Sequence, residues 1–230
     1  MQFLLIHGGT FDDRCWDRMR PHLTLPAVAV VQPGRGDNRP DEIRTVGLPD
    51  YRATVADTVA RTPGELILVA HSLAGLSVTA GILAAPERVR HVVLLSCAVP
   101  PQGGTVLGTT GRPEVVGGDA GEPVVQTPEL VAHMAGEMTA EQLEHAIALS
   151  VPEPGRILRT PATLEGWEVD VPKTWVRLAR DTVFPPDLQT EMAARAGVDE
   201  IVDLDAGHLA MFSRPEELAG ICNEMAAKYV

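Results

Sequence analysis

Residues 66–75 read Leu66-Ile-Leu-Val-Ala-His-Ser-Leu-Ala-Gly75, an apolar run that passes directly into a serine and from there into a helical pattern. A serine on such a strand-to-helix turn is held in a strained backbone conformation that lifts its hydroxyl above a sheet, and its flanking positions must be small because strand and helix nearly touch. The residues two before and two after Ser72 are Ala70 and Ala74, so the pattern is A-x-S-x-A, with Gly75 one place further on. A serine between small residues at a helix start also fits an ordinary N-cap. The rest of the chain decides between the two.

Working outward, short apolar runs at 2–6, 27–31, 66–70, 91–96, 173–178 and 200–204 have the character of strands buried on both faces. Helix-period segments at 14–22, 49–62, 73–84, 186–196 and 215–228 separate them, several opened by proline or by a capping side chain. The alternation predicts an α/β fold with a doubly wound, mostly parallel sheet. It breaks once, after the run ending at 96, where about seventy residues intervene. Residues 1–99 and 171–230 are therefore expected to form the core, and 100–170 an inserted, mainly helical cap. Within the insertion, 100–123 holds seven glycines and four prolines, the composition of a lid or binding loop. Two helices are expected at 127–138 and 139–150, the second opened by the capping box Thr139-Ala-Glu-Gln142. The methionines Met134 and Met138 read first as cap filling, with substrate contact as the alternative.

The chain has 230 residues, ample for a buried core, and 45% apolar and 22% charged residues are ordinary values for a folded domain. Its net charge of −12 repels phosphate backbones and anionic lipid, so nucleic acid is not an expected partner. Cys15, Cys97 and Cys222 are scattered and odd in number, without a metal-type or redox-type spacing, which points to a reducing compartment. No run approaches the ~18 apolar residues of a membrane span and no leader pattern opens the chain, so the expected location is the cytoplasm. Oligomeric state is open, a homodimer included.

A serine hydroxyl needs a histidine base oriented by a carboxylate, in the chain order Ser, Asp, His for this architecture. Among the seven histidines, His208 follows the last strand in Asp205-Ala-Gly-His-Leu-Ala-Met211, at the sheet edge where open α/β sheets bind ligands. Asp181 follows the strand at 173–178 and precedes Pro185-Pro186, the expected place for the acid. Asp203 and Asp205 lie closer to His208 in sequence but are badly placed to orient its ring. Some members of this architecture take the acid from the strand after the nucleophile, yet 92–112 contains no acidic residue. After the first strand, His7-Gly8-Gly9-Thr10 forms a glycine turn whose backbone can approach a substrate. Its Gly9 amide and that of Leu73 are the candidate oxyanion donors. His7 reads as a residue shaping that turn, and His71 as one packing under the serine. The constellation Ser72, Asp181, His208, Gly9 and Leu73 calls for neither a metal nor a cofactor.

Together these stretches resemble the α/β-hydrolase superfamily, in particular its compact branch of plant methyl esterases, hydroxynitrile lyases and bacterial esterase relatives. The anchors are Phe3-Leu-Leu-Ile-His-Gly-Gly9 with Trp16, Gln32-Pro-Gly-Arg-Gly-Asp37, Val69-Ala-His-Ser-Leu-Ala-Gly75, Arg180-Asp-Thr-Val-Phe-Pro-Pro-Asp-Leu-Gln189 and Gly207-His-Leu-Ala-Met-Phe-Ser-Arg-Pro215. The resemblance implies the same triad and oxyanion amides. The lyases of this branch carry a threonine beside the oxyanion loop and a lysine after the catalytic histidine, where this chain has Gly8 and Leu209. It therefore implies a cofactor-independent esterase acting on a small apolar ester. A thioesterase, a lactonase or a polyketide-type tailoring enzyme would use the same triad, and a receptor-like binder with slow turnover is the reading from another class.

Overall fold

The computed structural model describes residues 1–35, 43–111 and 121–229. Gly36 and Asp37 of one anchor, and 112–120 of the glycine-rich stretch, lie outside the described residues. The six expected apolar runs form six strands: β1 Gln2–Ile6, β2 Ala27–Val30, β3 Leu66–His71, β4 Val89–Leu95, β5 Lys173–Leu178 and β6 Glu200–Leu204. They assemble in the order β2-β1-β3-β4-β5-β6, and every neighbouring pair is parallel.

The two-residue period of the strands divides the core into two layers. Leu4, Ile6, Leu66, Leu68, Val92 and Leu94 pack on one face against α1 (Leu48–Arg61), α2 (Val78–Ala84) and α7 (Pro186–Ala196) through Val55, Val59, Ile82 and Met192. Phe3, Leu5, Ile67, Val69, Val93 and Leu95 pack on the other against Trp16, Met19 and the Leu218 and Cys222 side of α9 (Pro215–Ala227). Both faces of the sheet are covered, as a doubly wound sheet requires. The chain steps to β2 on one side of β1 and to β3 on the other, so the C-terminal ends of β1 and β3 form the switch point where such sheets bind ligands. Residues 7–10 and Ser72 stand at those ends.

Two expected helices differ. Instead of one helix at 14–22 there are two 3-10 turns, Asp13–Trp16 and Arg20–His22. The Asp12 carboxylate accepts the Arg14 amide at 3.0 Å and Pro21 has no amide to donate, so a continuous ladder cannot form. The segment after the serine begins as a 3-10 turn, Ser72–Leu76, before α2 starts at Val78.

Between β4 and β5 the chain forms α3 (Val106–Thr109), α4 (Pro128–Ala135), α5 (Ala140–Leu149) and α6 (Gly155–Arg159). The capping box of α5 is present: the Thr139 hydroxyl accepts the Gln142 amide and the Gln142 side chain accepts the Thr139 amide at 2.8 Å. The short helices α3 and α6 were not foreseen from composition. Val124 and Glu153 exchange two backbone hydrogen bonds of 2.8 Å, tying the strand-like segments before α4 and α6 together. α8 (Ala210–Ser213) follows β6 and leads into α9. Among the described residues, no helix is long and apolar enough to cross a membrane.

Candidate active site

Ser72 leaves β3 with φ of 51°, a left-handed conformation that is costly for any residue with a Cβ. Its carbonyl is tied down by the Ala98 amide at 2.8 Å. The turn is so tight that a Cβ on Gly75 would stand 2.3 Å from the Ala98 carbonyl oxygen, which explains why glycine occupies this place while alanine suffices at 70 and 74.

The structure brings His208 to this serine. Its Nε2 lies 2.8 Å from Ser72 Oγ, and its Nδ1 lies 2.7 Å from Asp181 Oδ2. Since a carboxylate only accepts, Nδ1 carries the proton and Nε2 presents its lone pair to the serine. Asp181 Oδ1 accepts the amides of Val183 at 2.7 Å and Phe184 at 3.0 Å, and Oδ2 also accepts the Ser96 hydroxyl at 2.7 Å. Burial pulls the Asp181 carboxyl upward, but the His208 ring, the Ser96 hydroxyl and the Phe184 amide outweigh it and hold the group below the usual carboxylate range. Asp203 and Asp205 are elsewhere: each forms a surface ion pair, with Arg177 and with Arg180.

The glycine turn faces the serine from β1. His7 Nδ1 donates to the Gly8 carbonyl at 2.8 Å, and its Nε2 accepts the Gln32 amide at 3.4 Å. Burial, with Arg35 nearby, lowers the His7 pKa to about 4, so the ring is neutral and this pattern is its only consistent tautomer. In a trans peptide the N–H opposes the C=O, so pinning the Gly8 carbonyl also aims the Gly9 amide. A Cβ on Gly8 would meet His71 Nδ1 at 2.6 Å, and one on Gly9 would meet Glu153 Oε2 and Leu73 Cδ2 at 3.2 Å. The Thr10 amide is committed to Glu153 Oε2 at 2.7 Å, which leaves the Gly9 amide as the turn's candidate donor toward substrate. Leu73, in the first turn of its 3-10 segment, has an amide with no carbonyl ahead of it in the helix.

His71 packs beneath the serine as expected, and its Nε2 donates to the His208 carbonyl at 2.9 Å. Burial first, then the His208 ring, push its pKa well below the usual value, so it stays a neutral donor. A cavity of about 140 Å³ opens over Ser72 and His208, small beside the ~300–1,000 Å³ of drug-sized sites. Its wall is mostly apolar: Phe11, Leu73, Met134, Leu158, Phe184 and Leu209 line it, along with Val106 and Thr110 from the glycine-rich stretch. Met134 and Met138 both pack against the hydrophobic layer beneath the cap, as cap filling requires, and Met134 also borders the cavity.

The sequence pattern of the alpha/beta hydrolase family matches residues 3–221. The chain belongs to this family. Among curated relatives of this α/β-hydrolase, the pyrethroid hydrolase of Sphingobium wenxiniae is 26% identical over 235 residues, spanning 94% of this chain and 84% of that protein. Methylesterase 4 of Arabidopsis thaliana is 26% identical over 261 residues, spanning 99% and 97%. The crystal structure of polyneuridine aldehyde esterase superposes with a TM-score of 0.79 at 21% identity, covering 98% of each chain, which establishes a shared fold.

Four residues that support the site were not among the candidates read from the sequence: Glu153, Arg35, Ser96 and Glu137. Glu153 and Arg35 form a buried ion pair behind the glycine turn, Ser96 supports Asp181, and Glu137 Oε2 accepts the Gly207 amide at 2.8 Å, bracing the His208 loop from the segment after α4. Two signals were available: Arg35 stands in the anchor Gln32-Pro-Gly-Arg-Gly-Asp37, and Ser96 is the first residue after β4.

Proposed function

We propose that this chain hydrolyses carboxylic esters of small, uncharged acyl or alcohol groups through an acyl-enzyme on Ser72. Ser72 Oγ attacks the ester carbonyl while His208 Nε2 takes its proton. The carbonyl oxygen becomes an alkoxide facing the amides of Gly9 and Leu73, donors of a kind typically worth ~3 kcal/mol each in transition-state stabilisation. His208 then protonates the departing alcohol, the C–O bond breaks and the acyl group stays on Ser72. Water attacks the acyl carbon while His208 takes its proton, and as the second tetrahedral adduct collapses to the free acid His208 returns that proton to the departing Ser72 Oγ. Asp181 stays ionised throughout, fixing the tautomer and stabilising the imidazolium.

The observation that carries this reading is the chain of hydrogen bonds from Asp181 through His208 to Ser72, at 2.7 and 2.8 Å, opening into an apolar cavity. The pyrethroid hydrolase and methylesterase relatives support the ester as the substrate class. On this reading 100–170 is a cap that shapes the pocket on the core formed by 1–99 and 171–230. A cytoplasmic location goes with it, supported by three buried, unpaired cysteines. Steady-state hydrolysis of p-nitrophenyl acetate and longer-chain esters, beside Ser72→Ala, tests the proposal, with mass spectrometry after a fluorophosphonate. Repeated turnover with one adduct on Ser72 is expected. Turnover that survives Ser72→Ala refutes the mechanism, and labelling without turnover refutes the hydrolase.

A further inference from the structure

Glu153 is a carboxyl residue of the insertion and only 1% exposed, yet it lies against the glycine turn and borders the cavity over Ser72. Its Oε2 accepts the Thr10 amide at 2.7 Å and a hydrogen bond from Arg35, whose guanidinium is fully buried and also donates to the Pro152 carbonyl. Its Oε1 accepts the Tyr51 hydroxyl at 3.0 Å, and Tyr51 in turn lies 2.9 Å from Arg35. Burial and then the adjacent carboxylate push the Tyr51 phenol well above its ordinary value, so it stays a donor. A buried ion pair of this kind is weak evidence of stability, because desolvation offsets most of the attraction, so its placement needs another reason.

That reason lies in Thr10. This β-branched residue has φ of 60°, a conformation that persists only where the surroundings over-determine it. Both of its backbone polar groups are taken by the insertion: the amide by Glu153, and the carbonyl by the Val151 amide at 2.9 Å. Its hydroxyl donates to the Gly9 carbonyl at 2.7 Å. The two peptide planes flanking the Gly9 Cα are thus fixed from opposite sides, one by His7 on the Gly8 carbonyl and the other by Glu153 on the Thr10 amide.

We propose that Glu153, neutralised and held by Arg35, is a positioning residue: it fixes the strained Thr10 so that the Gly9 amide points at the substrate oxygen. The insertion thereby completes the oxyanion site of the core. This rests on the ester-hydrolase reading, in which that amide has work to do. Loss of the contact lets the turn relax, which weakens a transition-state interaction and leaves ground-state binding in the apolar pocket intact.

The test uses Glu153→Asp, which keeps the charge opposite Arg35 but withdraws the carboxylate by one methylene from Thr10. Glu153→Ala, which removes the acceptor of the Thr10 amide altogether, is read beside it. Val55→Ala, a cavity mutation in the core under α1, calibrates what lost stability alone does to rate. For each, kcat and KM on p-nitrophenyl acetate, the rate of fluorophosphonate addition to Ser72 and the urea midpoint are measured. Both Glu153 variants are expected to lose at least ~10-fold in kcat and in phosphonylation rate, with KM within ~3-fold. Val55→Ala is expected to lower the urea midpoint with kcat unchanged. The proposal is overturned if either foldable Glu153 variant keeps kcat within ~3-fold of wild type, if the loss falls in KM alone, or if Val55→Ala at matched stability loses as much rate. Failure of wild type to turn over the ester at all would instead sink the hydrolase reading.

Discussion

Replacing Gly75 by alanine tests whether the serine's position depends on the close approach of the elbow to the end of β4. The added Cβ would stand 2.3 Å from the Ala98 carbonyl oxygen and 3.0 Å from the Ala98 carbonyl carbon and amide nitrogen. All three are backbone atoms, so no side chain can swing aside. A tolerable C···O contact is ~3.3 Å, so the two segments must part by roughly 1 Å. The Ala98 amide is bonded to the Ser72 carbonyl at 2.8 Å, and the displacement is therefore passed to the serine itself. Overpacking of this kind typically costs 1–3 kcal/mol of stability, and a ~1 Å misplacement of a reacting group costs about 10²-fold in rate. The measurements are kcat on p-nitrophenyl acetate and the urea midpoint, beside Gly220→Ala on α9, where an added Cβ meets nothing within 4 Å. Gly220→Ala should be as active as wild type and slightly more stable. If Gly75→Ala matched it in both respects, the close approach would have no bearing on catalysis.

Asp181→Asn should lower kcat by ~10⁴, the loss measured for the same change in a serine protease, because the amide favours the wrong imidazole tautomer. Asp203→Asn, which removes only a surface partner of Arg177, should stay within about twofold in the same assay, and the reverse ranking would mean the acid is misassigned. Ser96→Ala removes one of four hydrogen bonds to Asp181 and should lower kcat by roughly fivefold with the adduct on Ser72 retained, checked by steady-state kinetics and mass spectrometry. Stability should fall with acid: His7 titrates at about 4 in the fold against about 6.5 in the unfolded chain, so the unfolded state takes up its proton first. That stability is complete above about pH 6.5 and is lost as pH falls toward 4, ~3 kcal/mol in all, and His7→Gln should flatten this part of the urea-midpoint profile.

The parts of this molecule that could be read from the chain are those that local backbone chemistry dictates. An apolar run ending in Ala-His-Ser-Leu-Ala-Gly75 can hardly be other than a buried strand turning into a helix, and the same reasoning placed β5 and β6 at their observed limits and put Asp181 and His208 on the loops that follow them. Where local signals compete, the reading at 14–22 shows the cost of following periodicity alone, since Asp12 and Pro21 already spoke against a continuous helix. Glu153 could not be found this way. It stands in Val-Pro-Glu-Pro-Gly, a stretch without period or motif, 143 residues from the amide it accepts and 118 from the arginine that neutralises it. Ser96 reaches Asp181 across 85 residues and Glu137 reaches Gly207 across 70, each by a side chain whose type is unremarkable where it sits. Such pairings exist only in the folded chain, where β4 and β5 lie side by side and the segment 100–170 packs against the ends of the sheet. Its composition foretells helices and a loop but not which of its carboxylates turns inward. The candidate triad residues thus stand at strand ends and turns of the sheet, whereas the contacts that hold Thr10 and brace Gly207 come from 100–170. Substitutions there should change rate and substrate preference while leaving the order and chemistry of the triad intact.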